Sequence, residues 1–306
     1  MNTFVAVDIS KETLEVRLPH TSISLTNDAD GFEKLIGQCQ DLTNPMVVFE
    51  ATGGYEQSLK NALHDANVDL CLVNPARVRA FASSEGLKAK TDAIDAAMIL
   101  RFAQEKRLKP TPAPSPAQAK LMALLDRRSQ VSEHIAREKN RRQKAADFIV
   151  PQIDESIKQA EAQLQELERQ ISIVIRETPE MKKQDGLFQE VKGVGEITSW
   201  TLIAFLPEIA TLTRNQTVAM AGVAPYNRDS GRQQKPRRIQ GGRAKIRKVL
   251  YMAAQTAAIH NPVIKPYVQA LRERGKPYRC AIVAAMRKLL LHLRSLINNP
   301  EKTLAV

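Results

Sequence analysis

Apolar positions near the start of the chain form a short run that ends on a carboxylate. Residues 4–7 are consecutively apolar, which is typical of a strand buried on both faces, and Asp8 follows them. Apolar and polar residues then alternate across 13–18 and again across 22–25. A period of two predicts strands with one buried face. The N-terminal segment therefore predicts an antiparallel meander of three strands.

Helical and strand patterns alternate after the meander. Apolar residues spaced three and four apart predict helices, and short apolar runs bounded by turn residues predict strands. One such strand ends on Glu50, as the first strand ends on Asp8. Asp30 is the expected N-cap of the first helix. The alternation predicts a mixed-sheet α/β domain. The predicted helices are 32–39, about 55–66, 77–81 and 92–104, and the predicted strands are 46–49 and 68–73.

A proline-rich stretch at 109–116 predicts a stiff linker and a domain boundary. The chain is then helical from about 117 to 178, with a break expected at Pro151. Apolar or small residues on the second arm are spaced three and four apart, as in a coiled-coil seam. The seam can pack within one chain or against a second copy, and the sequence leaves both interpretations open. The seam residues are Ile157, Ala160, Leu164, Leu167, Ile171 and Val174.

The last part of the chain has mostly helical patterns, interrupted by a polar, glycine-rich basic loop at 225–242. The complete fold prediction is an α/β domain followed by α-helical parts. We expect a mixed-sheet domain at 1–108, the linker at 109–116, a helical coiled-coil connector at 117–180 and a mostly helical domain at 181–306.

Charge is distributed unevenly along the chain. The 306 residues carry 45 Lys and Arg against 33 Asp and Glu, a net charge of +12. Residues 181–306 alone hold 22 Lys and Arg against 7 Asp and Glu, a balance of +15. A basic excess confined to one region indicates a polyanionic partner, most simply nucleic acid. Membrane binding is disfavoured because aromatic residues are scarce.

The three cysteines point to a reducing compartment. Cys39, Cys71 and Cys280 are far apart and odd in number, and their spacing matches neither a zinc site nor a redox motif. No apolar run approaches the roughly 20 residues that span a bilayer. The N-terminus also lacks the pattern of a signal peptide. We therefore expect a cytoplasmic protein.

Four acidic residues form a candidate metal site. Asp8 and Glu50 each end a predicted buried strand, and Asp92 and Asp95 lie three apart on one face of a predicted helix. Carboxylates that meet at one sheet edge repel each other unless cations join them. Oxygen ligands select hard ions, so Mg²⁺ is expected and Mn²⁺ is the alternative. Each acid taken singly could instead be a cap or a turn acceptor.

Two glycine-containing segments of the basic region are candidate nucleic-acid contacts. Lys192, Gly193 and Gly195 form a turn before a predicted helix, where backbone N–H groups can approach a phosphate. The basic loop contains Ser230, which by itself is best explained as a turn residue. Arginines around this serine can bind phosphate and stabilise developing charge. These arginines are Arg228, Arg232, Arg237, Arg238, Arg243 and Arg247.

The order Asp, Glu, Asp-x-x-Asp on this layout resembles the RuvC-like, ribonuclease H-type nuclease fold. The segments 7–11, 50–55, 73–75 and 90–96 are similar to the DEDD transposases of the one-ten insertion-sequence family. That family includes Piv-type DNA invertases and bridge-RNA-guided recombinases. The C-terminal motifs match its transposase domain. The Gly-Gly-Arg motif resembles the family's second major subgroup. These motifs are Gly222-x-Ala224-Pro225, Ser230-Gly231, Gly241-Gly242-Arg243 and Arg247-x-x-Leu250-Tyr251.

The resemblance implies a site-specific DNA recombinase or transposase. Asp8, Glu50, Asp92 and Asp95 would hold Mg²⁺, and Ser230 would attack DNA to form a covalent phosphoserine. It further implies a structured non-coding guide RNA that pairs with donor and target DNA. A homodimer or homotetramer is also implied, in which the acids of one protomer meet the serine of another.

Two rival functions remain open at this stage. One is a RuvC-like metal nuclease or Holliday-junction resolvase that uses the four acids and water as the nucleophile. The other is a non-catalytic nucleic-acid-binding protein.

Overall fold

The computed structural model of the chain describes residues 2–86, 92–227 and 237–299, without the side chains of 92–94. The chain divides into two compact units, Met1–Ala113 and Pro114–Val306, called unit 1 and unit 2 below. The division falls within the proline-rich stretch.

Unit 1 is a five-stranded mixed sheet with helices on both faces. The strand order is β3-β2-β1-β4-β5, in which β1, β2 and β3 are antiparallel neighbours and β1, β4 and β5 are parallel. The predicted three-strand meander and the mixed α/β sheet are thus confirmed. The elements are β1 (Thr3–Ile9), β2 (Thr13–Arg17), β3 (Ser22–Thr26), α1 (Ala29–Gln40), β4 (Pro45–Glu50), α2 (Gln57–Asp65), β5 (Asp69–Val73), α3 (Pro75–Ser84) and α4 (Asp92–Glu105).

The alternation of side chains along β1 and β4 divides the core of unit 1 into two layers. Val5, Val7 and Phe49 pack with α1 and α2 on one face. Ala6 and Val48 pack with α3 and α4 on the other. Burying one side chain of valine size contributes about 1.5–3 kcal/mol, so each layer holds its helices firmly. Side chains two positions apart on a strand point to the same face, so the residues two positions after Ala6 and Val48 face the layer of α3 and α4.

The first helix begins earlier than the sequence predicts. Its N-cap is Asp28, whose carboxylate accepts from the Gly31 N–H at 3.0 Å and from the Thr26 hydroxyl at 2.6 Å. These hydrogen bonds hold the pKa of Asp28 below its usual value. The prediction of Asp30 as the cap was wrong, because Asp30 lies inside the first turn.

Unit 2 begins with a long antiparallel helical hairpin, α5 (Pro116–Arg142) and α6 (Val150–Glu177). The predicted seam is real, and it packs within the chain: Ile157, Ala160 and Leu167 of α6 are buried against Val131 and Ile135 of α5. Ion pairs across the hairpin join Lys139 to Glu161 and Arg128 to Glu168, each at 2.7 Å. The helical break was predicted at the wrong position. It lies between Arg142 and Val150, and Pro151 belongs to the first turn of α6, where proline is tolerated.

The rest of unit 2 is mostly helical, as predicted, and encloses the largest apolar core. The helices are α7 (Pro179–Gln189), α8 (Glu196–Phe205), α9 (Arg214–Met220), α10 (Ala244–His260), α11 (Ile264–Glu273) and α12 (Tyr278–Asn298), with a 3-10 helix at Pro207–Ala210. The basic loop also contains a short antiparallel ribbon, β6 (Pro225–Tyr226) paired with β7 (Arg238–Ile239), which the sequence pattern does not predict.

Cys39 and Cys71 are buried free thiols, and Cys280 is an exposed one. Burial raises the pKa of the Cys39 thiol to about 11. Among the described residues, no helix combines the length and apolar character needed to cross a membrane.

Candidate active site

Asp8 and Glu50 lie side by side at the carboxyl edge of the sheet in unit 1. Val7 pairs with Phe49 in the parallel β1–β4 ladder, and the two acids are the next residues along these strands. By the alternation described above, Asp8 shares a face with Ala6, and Glu50 shares a face with Val48. Both carboxylates therefore belong to the face covered by α3 and α4.

Helix α4 brings a third acid to this edge. Asp95 lies in the first turn of α4, which packs against β1, and it lines one pocket together with Asp8 and Glu50. The pocket has a volume of about 130 Å³, and all three acids are half-buried. Asp92 is the first residue of α4, and its side chain lies outside the described part of the chain. The structure thus gathers three of the four predicted acids.

The donor set of this pocket fits a divalent cation, because carboxylate oxygens from three elements line it. Within the described residues, no three His, Cys, Asp or Glu side chains converge closely enough to hold an ion by themselves. The fourth predicted ligand, Asp92, precedes Asp95 by three residues on α4.

Arg79 also lines this pocket, and the sequence pattern does not predict it. It lies on α3, whose N-cap Asn74 accepts from the Ala76 N–H at 2.9 Å, with Pro75 in the first turn. Val78 and Ala82 of α3 line the pocket beside it. The spacing of these three residues could have indicated one helix face, but nothing in the sequence aims that face at the acids.

Two further residues that the sequence pattern does not predict hold the loops at this edge. Glu56 Oε2 accepts hydrogen bonds from the Thr52 hydroxyl and the Gly54 N–H, at 2.6 and 2.8 Å. Asn27 Nδ2 donates to the carbonyl oxygen of Ser10 at 2.8 Å and to that of Tyr55 at 3.4 Å. Asn27 thereby links the chain beyond β1 to the chain beyond β4, the two strands that carry Asp8 and Glu50.

In unit 2, the glycine turn predicted to contact nucleic acid joins α7 to α8. Gly193 has a φ of +104°, and a Cβ there would lie 2.7 Å from the Cβ of Ala257. Gly195 is the exposed N-cap residue of α8, and Lys192 is exposed beside it. The geometry leaves this turn open to solvent on one side, and it requires glycine at 193 for internal packing.

Ser230, Arg228 and Arg232 lie outside the described residues. The strands on either side of that segment are paired, with Tyr226 opposite Arg238. Arg237 and Arg238 are exposed, so both are free to meet a ligand at the surface.

The glycine motifs that flank this segment pack directly on each other. A Cβ on Gly222 would lie 2.2 Å from the carbonyl oxygen of Gly241, and a Cβ on Gly242 would lie 2.2 Å from the Gly222 nitrogen. Arg247 Nη1 donates to the same Gly241 carbonyl at 2.6 Å. Arg243 Nη1 donates to the Phe205 carbonyl at 2.6 Å. Two predicted nucleic-acid contacts, Arg243 and Arg247, are therefore engaged inside unit 2.

Comparison with known proteins places both ends of the chain in one family. Residues 5–151 match a family model of DEDD transposases of the IS110 type, described as "Transposase". Residues 185–269 match the model described as "Transposase IS116/IS110/IS902 family". The chain is 26% identical over 300 residues to the pilin gene-inverting proteins of Moraxella lacunata and Moraxella bovis. Each alignment covers 94% of this chain and 93% of the relative.

Proposed function

This chain belongs to the IS116/IS110/IS902 family of transposases and is a DNA-recombining enzyme, and we propose that it works site-specifically, through a covalent phosphoserine intermediate at Ser230. The observation that carries the metal-dependent part of this proposal is the shared pocket of Asp8, Glu50 and Asp95 at the carboxyl edge of a mixed sheet. The serine is proposed from the match of residues 185–269 to the family's transposase model. We also propose that unit 1 has the RuvC-like, ribonuclease H-type fold. The strand order of its sheet and the acids at the ends of β1 and β4 support this assignment.

We propose Mg²⁺ as the resident cation, with Mn²⁺ as a substitute. Asp8, Glu50, Asp95 and Asp92 would hold it, and the carboxylate lining of the pocket supports this choice. When bound, a divalent ion lowers the pKa of an attacking hydroxyl and offsets negative charge on the phosphate. Arg79 would donate to the non-bridging oxygens of the scissile phosphate as charge develops there.

The proposed chemistry has two balanced steps. Ser230 Oγ bonds to the scissile phosphorus, the bond from phosphorus to a sugar oxygen breaks, and the serine proton ends on that oxygen. The phosphoserine ester conserves the free energy of the phosphodiester. A second strand-end hydroxyl then attacks the phosphorus, reforms a phosphodiester and returns a proton to Ser230. Rejoining needs no nucleotide cofactor, and inversion of a DNA segment, for which the two relatives are named, is one outcome.

We further propose that the acids of one protomer act with the serine of another in a homodimer or homotetramer. The acids belong to unit 1, and position 230 falls within the residue range of unit 2, which supports this arrangement. A structured non-coding RNA is proposed to pair with donor and target DNA. Residues 181–306 carry 22 basic and 7 acidic residues, and this excess of positive charge suits RNA as well as DNA.

The test is to trap a protein–DNA adduct in Mg²⁺ and to map its attachment residue. We expect the adduct on Ser230, and we expect Ser230→Ala to lose both the adduct and strand transfer. Asp8→Ala should lose both while it still binds DNA. Cleavage by Ser230→Ala at the normal rate would support the rival nuclease with water as nucleophile. Adduct formation that is equal with and without co-expressed flanking RNA would contradict guide dependence.

A further inference from the structure

A second pocket lies in unit 2 and shares no residue with the acid pocket of unit 1. It forms where the α7–α8 turn, the α10–α11 junction and α12 meet, and its volume is about 200 Å³. Because a water molecule takes up about 30 Å³ of liquid, this space accommodates a phosphate group with several waters. Its basic lining residues are Lys192, Lys288 and His292, against one carboxylate, that of Glu190.

A buried asparagine holds two walls of this pocket together. Asn261 is only 8% exposed, and its Nδ2 donates to the Lys192 carbonyl oxygen at 3.0 Å. Its Oδ1 accepts from the N–H groups of Val263 and Ile264, at 2.9 and 3.1 Å. Each polar atom of this side chain is therefore used to fix the turn that carries Lys192 against the start of α11. The pocket is built before any ligand arrives.

The charged groups of the pocket come from two of its three walls. Lys288 and His292 lie one turn apart on α12, and Lys192 and Glu190 belong to the α7–α8 turn. The lining residues of the α10–α11 junction, 261–264, carry no charge. The ammonium of Lys288 lies 4.6 Å from the ring centroid of Tyr267, which restrains its position. Burial, together with the charge of Lys288, lowers the pKa of His292.

We infer that this pocket binds a backbone phosphate of DNA through Lys192 and Lys288, and that His292 adds a third contact when it is protonated. The inference takes its ligand class from the proposed function. Duplex DNA is favoured because the pocket adjoins a helix–glycine turn–helix, in which Gly195 caps an exposed helix N-terminus. A bound phosphate stabilises the imidazolium of His292, so binding should tighten as the pH falls toward the lowered pKa of this side chain.

The test measures binding of a short fluorescein-labelled DNA duplex by anisotropy across a salt titration. The full-length chain with Ser230→Ala is used as the background, so that cleavage plays no part. Lys288→Ala should reduce the slope of log K against log salt by about 0.9, the value for one lost phosphate contact. Arg287→Ala is the matched control, because Arg287 is the exposed neighbour on α12 that does not line the pocket. An equal loss of slope in both variants would overturn the inference in favour of a general positive field.

His292 and the choice of nucleic acid are tested separately. His292→Gln should remove the tightening of binding at acid pH while the thermal unfolding midpoint stays unchanged, and pH dependence retained in this variant would refute the third contact. An effect of Lys288→Ala on an RNA hairpin alone would refute the assignment to DNA. Strand transfer is not measured, so the pocket stands or falls independently of the phosphoserine mechanism.

Discussion

The carboxylate of Glu56 accepts a 2.6 Å hydrogen bond from the hydroxyl of Thr52. The same oxygen also accepts from the N–H groups of Gly54 and Thr52, at 2.8 and 3.2 Å. The loop fixed in this way directly follows Glu50, the last residue of β4. Glu56 therefore restrains the backbone that presents one of the acids of the proposed metal site.

Glu56→Gln should loosen this loop, because an amide oxygen accepts more weakly than a carboxylate. We expect unfolding free energy to fall by about 1 kcal/mol and recombination to fall about tenfold. Denaturant titration and a strand-transfer assay measure the two effects. Glu33→Gln, which alters an exposed glutamate of α1, is the control that should change neither.

The same residue predicts a pH dependence of stability. Burial raises the pKa of Glu56, but the hydrogen bonds from Thr52 and Gly54 outweigh burial and bring the pKa below 4.5. A lowered folded-state pKa gives stability that is present above 4.5 and is lost as the pH falls through the folded-state value. Glu56→Gln should remove this part of the acid sensitivity. An unchanged acid transition in the variant would contradict the role given to these hydrogen bonds.

Arg79 offers a test of the acid pocket that leaves its carboxylates intact. Arg79→Ala should slow strand transfer by about a hundredfold, the usual effect of one lost donor to developing charge. DNA binding should weaken little, because one phosphate contact among many is lost. Arg77→Ala is the matched control on α3, since the Arg77 guanidinium stacks over Phe102 at 5.4 Å and does not line the pocket. Equal slowing in both variants would argue against a contact with the scissile phosphate.

Local patterns were sufficient to predict the sheet and the two long helical arms that follow the proline-rich stretch. Alternation in 13–18 and 22–25 marks strands with one buried face, and the spacing of the α6 seam marks a helix that packs along its length. The sequence did not settle whether that seam meets its own chain. Packing within the chain depends on the turn between α5 and α6, which closes the hairpin and lets α5 cover the seam.

The sequence pattern predicted the site residues that lie at the ends of strands. It did not predict residues whose roles depend on contacts with distant parts of the chain. Asp8 and Glu50 are recognisable because parallel neighbouring strands end at the same edge. The internal role of Arg243 depends on Glu208, 35 residues away, and no local pattern connects them. Arg79 likewise reaches the acid pocket only through the packing of α3 on the sheet.

Gly222→Ala should destabilise unit 2. Gly222 has a φ of +69°, and a Cβ there would lie 2.5 Å from Arg247 Nη1 as well as against the Gly241 backbone. Left-handed strain alone costs about 1–3 kcal/mol, and backbone atoms cannot move aside as a flexible side chain can. We therefore expect a loss of at least about 2 kcal/mol in denaturant unfolding.

Gly186→Ala is the matched control for Gly222→Ala. Gly186 lies within α7, in the same unit, and a Cβ there meets nothing within 4 Å. Alanine in a helix interior should stabilise the chain by about 0.5–1 kcal/mol relative to glycine. Shifts of the same sign in the two variants would contradict the close crossing of the glycine motifs.

Arg238 and Arg243 should separate nucleic-acid binding from internal support, although both were predicted to contact DNA. Arg238 is exposed on β7, so Arg238→Ala should reduce the salt slope of DNA binding by about 0.9 and leave stability unchanged. Arg243 donates to the Phe205 carbonyl and pairs with Glu208, so Arg243→Ala should cost about 2 kcal/mol of unfolding free energy. Anisotropy and denaturant titration of both variants give the comparison. If Arg243→Ala lowers the salt slope at unchanged stability, its guanidinium leaves Glu208 to meet the phosphate backbone, and the internal role is wrong.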